Sequence, residues 1–299
     1  MTTYHRPVLL DECIQGLQIK PTGIYVDCTF GGGGHSMAIL SKLTTGKLVA
    51  FDQDPESYAN APDDNRFVFV AANFRFLKNF LRYHGIRQVD GILADLGVSW
   101  HHFDTPERGF SFRFDGDLDM RMNQSESFTA EELLNTYPGE KLASLFFEYG
   151  ELKNSRQLSK LIVNGRQTKR IKRVNELLEM IAPSIPPRNN HSYLACVFQA
   201  LRMEVNQEVR NLKEMLGQAG QSLKKGGRLA VISYHSIEDK LVKNFTRTGN
   251  FDGQVTKDFY GNVEAPFTPV NSRVIAPSEQ EVEENNRARS AKLRIASKN

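Results

Sequence analysis

Asp27-Cys-Thr-Phe-Gly-Gly-Gly-Gly34 joins an acid to a run of four glycines, and a second acid, Asp52, closes the next apolar stretch. Glycines at such a point let a backbone approach a ligand closely and take positive φ. An acid ending the following strand is placed to accept hydrogen bonds from a pair of ribose hydroxyls. Together they predict a site for a nucleoside-containing cofactor. A dinucleotide site takes G-x-G-x-x-G, but counting from Gly31 and Gly33 the third position is Ser36. The D-x-x-x-G-x-G pattern of methyltransferases is met by Asp27, Gly31 and Gly33, with Asp27 holding the cofactor's cationic amino group directly or through water. A pyrophosphate wants a glycine-lined helix start without that acid. S-adenosylmethionine is therefore the expected cofactor, and a nicotinamide-dependent oxidoreductase is the disfavoured rival.

Asp95 bears on the reaction. It ends a later apolar run in Asp95-Leu-Gly-Val-Ser99, at the carboxyl edge where open α/β sheets bind ligands. Amino-group methyltransferases of the class I fold carry an acidic or polar motif here. An exocyclic amine on cytosine or adenine has its lone pair conjugated into the ring and is a poor nucleophile. Acceptors at its N–H groups turn the lone pair toward the methyl, while the fold supplies in-line approach. No strong base is needed, because the product loses its proton readily. The bland alternative for Asp95 is a helix N-cap, which its position and company disfavour.

These acids need a parallel sheet to hold them. Ile24 to Cys28, Leu48 to Asp52, Phe67 to Val70 and Val89 to Asp95 read as buried strands, alternating with helical patterns, the signature of a parallel α/β sheet. A leading helix carries Val8, Leu9, Cys13, Ile14 and Leu17. From about residue 100 to 202 the alternation stops and helical patterns dominate, with breaks expected at Pro138-Gly139, Gly165 and Pro183 to Pro187. Val205, Val209, Leu212, Leu216, Ala219 and Leu223 then step along one helix face. Gly226 to Ser233 is another strand, followed by a helix with Ile237, Leu241, Val242 and Phe245. The pattern predicts a discontinuous Rossmann-like domain (1–103 and 204–299) interrupted by a helical insert (104–203).

The 299 residues, 40% hydrophobic and 24% charged, suit a globular chain that buries a sizeable core. Net charge is only +3, so any surface for nucleic acid must be local. Cys13, Cys28 and Cys196 lie far apart and pair with no histidines at zinc spacing, so no metal is expected and the thiols read as small buried hydrophobes. There is no apolar run of membrane-spanning length; a cytoplasmic protein is expected.

Several separate stretches resemble the bacterial RsmH (MraW) family, which methylates N4 of a cytosine in small-subunit ribosomal RNA. They are His5-Arg-Pro-Val-Leu-Leu-Asp-Glu12, Thr29-Phe-Gly-Gly-Gly-Gly-His-Ser36, Asp95-Leu-Gly-Val-Ser99, Glu107-Arg-Gly-Phe-Ser-Phe112, Asp117-Leu-Asp-Met-Arg-Met122, Ser233-Tyr-His-Ser-Ile-Glu-Asp239 and Asn286-Arg-Ala-Arg-Ser290. They run in family order along nearly the whole chain. The resemblance implies a class I methyltransferase fold and cofactor contacts at Gly33, Gly34, His35, Asp52, Phe74, Asp95 and His102. It also implies ribosomal RNA, within the small subunit, as the partner. Trp100-His101-His102 departs from a more usual Ser-Pro-Gln. A catalytically silent RNA-binding assembly factor is the rival from another class.

RNA-facing candidates are spread more widely. Lys153, Arg156, Lys160, Arg166, Lys169, Arg170, Lys172 and Arg173 form a basic stretch without an acid, suited to phosphates though a charge run is commonly a solvated face. Lys169 and Arg170 are its central candidates. Arg287, Arg289, Lys292 and Arg294 form a second set, on an expected last strand. Among Phe110, Phe112 and Phe114, Phe112 is the candidate to stack on an extruded base. His235, after the Gly226–Ser233 strand, is placed to bond the base or a phosphate. Asp115-x-Asp117-x-Asp119 imitates a calcium loop, but Met120 stands where that loop needs glycine.

Overall fold

The computed structural model describes residues 7–97 and 105–299. The chain runs α1 (Leu10–Leu17), β1 (Ile24–Asp27), α2 (Gly34–Lys42), β2 (Lys47–Asp52), β3 (Phe67–Ala71), α3 (Leu77–Tyr83) and β4 (Val89–Asp95). Helices α4 (Ala130–Thr136), α5 (Gly139–Glu148), α6 (Ser155–Thr168), α7 (Val174–Ile181) and α8 (Asn190–Val205) follow. Then come α9 (Glu208–Ser222), β5 (Leu223–Ser233), α10 (Ser236–Thr248), β6 (Phe267–Pro269), α11 (Glu279–Glu284) and β7 (Lys292–Lys298). The chain divides into two compact units, Met1–Gly97 with Val209–Asn299, and Val98–Glu208.

The first unit holds a seven-stranded sheet in the order β3-β2-β1-β4-β5-β7-β6. Strands β1 to β5 are parallel and β7 and β6 antiparallel. Successive strand residues point to opposite faces, so the sheet feeds two cores. Val26, Val49, Phe51, Ile92, Ala94, Leu229 and Val231 face one layer, packed with Leu77 and Leu81 of α3, Leu212 and Leu216 of α9 and Val242 of α10. Tyr25, Leu48, Leu93, Ala230 and Ile232 face the other, against Cys13 and Leu17 of α1 and Ile39 and Leu40 of α2. Burial on both faces explains the nearly unbroken apolar runs of the central strands. Strand order reverses between β1 and β4, and the crevice at their carboxyl ends is where such a sheet receives its ligand. Asp27 and Asp95 end those two strands.

Among its described residues the regular structure of the second unit is helical, packed around Leu133, Phe146, Leu158, Ile162, Leu177 and Val197. Gly165 differs from its expected role as a break: α6 runs through it to Thr168. Its missing Cβ leaves the room that the Met180 thioether occupies, so it is a close-packing glycine. The acids of the imitation calcium loop are held in ion pairs, Asp115 and Asp117 with Arg173 and Asp119 with Arg121. Cys13 and Cys28 are buried free thiols, as the sequence predicts, whereas Cys196 is only half-buried.

Candidate active site

The glycine loop is built from β1 into α2. Gly33 takes φ 79° as the residue capping α2, a left-handed conformation that any side chain would strain. At Gly34 a Cβ would collide with the Pro7 ring. At Gly31 and Gly32 an added Cβ would meet nothing within 4 Å, so this stretch of backbone borders open space, as close approach by a ligand requires.

Asp27 differs from its expected role. It is 1% exposed; one oxygen accepts from the Thr29 N–H at 3.0 Å and the other from the Ser36 hydroxyl at 2.7 Å. Burial raises its pKa, opposed by His35, Ser36 and Thr29. Both oxygens thus tie the end of β1 to the first turn of α2, and the carboxylate shapes the loop from behind. Ser36, which argued against a dinucleotide in the sequence, is the hydroxyl that satisfies this buried acid.

Asp52 sits at the end of β2, where Gly31 N–H donates to one carboxyl oxygen at 2.7 Å and Asp54 N–H to the other at 2.9 Å. The acid and the glycine loop are therefore oriented together. Phe74 starts the short turn between β3 and α3, capped by Asn73, and lies half-buried against the core.

Asp95 carries the densest network. Its N–H donates to the Thr29 hydroxyl at 2.7 Å, and the Tyr234 hydroxyl donates to its Oδ1 at 2.8 Å. Its Oδ2 lies 3.8 Å from His35 Nδ1, with the Asp95 side chain 23% exposed. His35 is itself buried, its Nε2 3.1 Å from the Val8 carbonyl. The Val8 carbonyl can only accept, so Nε2 carries a proton and Nδ1 is the ring nitrogen that faces Asp95. Burial pushes the Asp95 carboxyl up to about 6; His35 and the Tyr234 hydroxyl pull against that rise, while Asp27 and Glu238 add to it. Burial, with Asp95 beside it, holds the Tyr234 phenol well above its ordinary range, so it remains a donor. Tyr234 is fixed in turn by its N–H, which donates to Glu238 Oε2 at 3.0 Å. The result is an acceptor held at the sheet's carboxyl edge, ionised above about pH 6 and partly open to solvent.

The first unit thus brings Gly33, Gly34, His35, Asp52 and Asp95 to one sheet edge. His102 lies outside the described residues. His235 caps α10, its Nδ1 accepting from the Glu238 N–H at 3.4 Å and its Nε2 lying 3.2 Å from Glu238 Oε1, which is helix-capping work. In the second unit Phe112 rests edge-on against His191 and Phe198 of α8, with Phe110 buried and Phe114 exposed. Lys169 pairs with Glu176 and Arg170 with Glu131, each at 2.7 Å. Such exposed pairs are screened by solvent and do not withhold these cations from a stronger anion. Lys292 and Arg294 both meet Asp239. The Tyr234 and Thr29 contacts to Asp95 have no signal in the sequence, because a hydroxyl in a loop does not reveal which strand end it will reach.

The model of the MraW methylase family matches residues 2–299. A relative from Bacteroides fragilis named "Ribosomal RNA small subunit methyltransferase H" is 57% identical over 298 residues, covering 99% of this chain and 98% of its own. A Flavobacterium johnsoniae relative of the same name is 54% identical over 302 residues, covering both chains fully. Among solved structures, an rRNA methylase from Streptococcus thermophilus aligns over 99% of each chain at 12% identity and a TM-score of 0.43.

Proposed function

This chain belongs to the MraW methylase family, and from that premise we propose that it methylates the N4 amine of a cytosine in small-subunit ribosomal RNA. Membership makes it an S-adenosylmethionine-dependent rRNA methyltransferase; the base, the atom and the residue roles are the proposal. When bound, S-adenosylmethionine supplies an electrophilic methyl on a sulfonium. The open backbone of Gly31 and Gly32 and the tight turn at Gly33 fit such a ligand. Gly33 to His35 hold its methionine end through the backbone, Asp52 accepts from its ribose hydroxyls and Phe74 packs on its adenine.

One observation carries the chemistry: Asp95 is a partly exposed acceptor at the β4 end, held by Tyr234 and Thr29. As a carboxylate it accepts from an amine N–H, turning the nitrogen lone pair out of conjugation and toward the methyl. Its pKa near 6 leaves it ionised at neutral pH, where it accepts a hydrogen bond and need not deprotonate the neutral amine, because the methylated product loses its proton readily. The Tyr234 hydroxyl and the His35 ring set the carboxyl plane, so the acceptor is oriented before substrate arrives.

The helical unit is proposed as an RNA-recognition domain. Lys153, Arg156 and Lys160 are exposed at and just before the start of α6, where Arg156 and Lys160 share one helix face. No helix among the described residues is long and apolar enough to cross a membrane.

Labelled S-adenosylmethionine with small subunits lacking the modification tests the reading. Transfer is expected with the wild-type chain and lost with Asp95→Ala at unchanged fold. Cofactor binding without transfer to any subunit state would favour the silent assembly factor.

A further inference from the structure

A different part of the first unit, outside the cofactor site, has the composition of a nucleic-acid track. Helix α10 starts directly after the Tyr234-His235 turn that holds Asp95. Its exposed positions are Ser236, Lys240, Lys243 and Arg247. At 100° per residue they fall within an arc of about 60°, and the three cations span about 10 Å of helix axis. Both acids of α10 are engaged elsewhere: Glu238 is buried beneath His235 and Tyr234, and Asp239 takes Arg294 and Lys292. Among the described residues no carboxylate pairs with Lys240, Lys243 or Arg247.

The helix ends on Gly249, in the left-handed conformation, where a Cβ would stand 2.7 Å from the Glu264 carbonyl. Glu264 closes a small hairpin that spans Thr256 to Glu264. Glu264 N–H donates to the Thr256 carbonyl at 2.9 Å, and Asp258 and Asn262 close the tip with a 2.9 Å backbone bond. The Asp258 carboxylate accepts from the Tyr260 and Asn262 N–H groups at 2.9 and 2.8 Å. This well-bonded turn presents Phe259 and Tyr260 to solvent at 97% and 85% exposure, their rings 5.6 Å apart and nearly perpendicular.

A basic helix face alone is commonly a solvated surface. Solvation does not account for two adjacent, fully presented aromatic rings on a turn built to hold them. Cations for phosphates followed by aromatic faces for bases is the combination by which proteins hold unpaired nucleic acid. Resting on the rRNA reading above, we propose that Lys240, Lys243 and Arg247 of α10, with Phe259 and Tyr260 of the following hairpin, form a binding surface for single-stranded RNA beside the methylated base. The cations follow the backbone away from the site, and the two rings stack on bases beyond it.

The test is binding of the full-length protein to unmodified small subunits across a salt series, beside calorimetry with S-adenosylmethionine. Lys240→Glu/Lys243→Glu/Arg247→Glu is expected to lower the slope of log affinity against log salt by about 2 to 3. Phe259→Ala/Tyr260→Ala is expected to weaken binding about tenfold per stacked base with the slope unchanged. Both variants are expected to bind S-adenosylmethionine like wild type, which certifies the fold, and to raise KM for RNA at constant kcat. Wild-type slope and affinity in both variants would overturn the surface. So would loss of binding to intact subunits with full binding to protein-free rRNA, which would assign the surface to a ribosomal protein. Because binding is measured without turnover, failure of the methylation reading would show separately, as a wild-type chain that binds and transfers nothing.

Discussion

Replacing Asp95 by asparagine is expected to make the protein more stable and inactive, and the size of the gain follows from the site. The carboxyl is raised from 3.8 to about 6 by burial. A group whose folded pKa is raised contributes its full stability below the unfolded value and loses it as pH climbs through the folded one. Ionised Asp95 therefore destabilises the native state, progressively between about pH 4 and 6. About two pH units at 1.36 kcal/mol each gives an upper bound of about 3 kcal/mol, and the side chain's 23% exposure lowers the expectation to about 1–3 kcal/mol. Asparagine keeps an acceptor for the Tyr234 hydroxyl in the place of the carboxylate oxygen. Chemical denaturation from pH 4 to 8 is the assay. The transition that rises when S-adenosylmethionine is added belongs to the first unit. Asp95→Asn should match wild type near pH 4 and exceed it above pH 6.5, with methyl transfer lost throughout. Equal stability at every pH, or a less stable variant at pH 7.5, would refute the reasoning.

Tyr234→Phe removes the hydrogen bond that opposes the rise of the Asp95 pKa, so the acid limb of kcat/KM against pH should move upward by about one unit, with cofactor affinity unchanged; an unmoved limb would remove Tyr234 from the orientation of Asp95. Ser36→Ala strips a donor from the buried Asp27 carboxylate and should cost about 1–3 kcal/mol of stability in denaturant titration, with cofactor affinity falling as the glycine loop loosens. Asp52→Ala releases the Gly31 N–H and the proposed ribose acceptor together, so calorimetry should show at least about a tenfold loss of S-adenosylmethionine affinity at unchanged RNA binding.

The parallel sheet was legible because its strands are buried on both faces: Val26, Val49, Ile92 and Leu229 face one core and Tyr25, Leu48, Leu93 and Ala230 the other, leaving nearly continuous apolar runs. Asp52 and Asp95 were legible as acids ending those runs. Asp27 reads the same way in sequence yet is turned inward, because only the fold brings the Ser36 hydroxyl and Thr29 N–H to it. Gly165 read as a break, since its reason for being glycine is Met180, on another helix. The Lys153 to Arg173 stretch is uniform in sequence but not in space: Arg166 donates to the Leu134 carbonyl and Lys169, Arg170 and Arg173 meet acids on other segments. The capping contact of His235 with Glu238 was not legible either, because it depends on a helix start that composition alone does not mark. Short-range polar contacts across distant segments are what sequence periodicity does not encode.

Mass spectrometry of nucleosides from small-subunit rRNA, compared between cells with and without this chain and cells carrying Asp95→Ala, tests the central claim most directly. The account predicts a methyl on cytosine N4 that disappears in the deletion and in the Asp95→Ala strain alike. The same nucleoside at full occupancy in the deletion, or a lost methyl located on another atom or base, would contradict it.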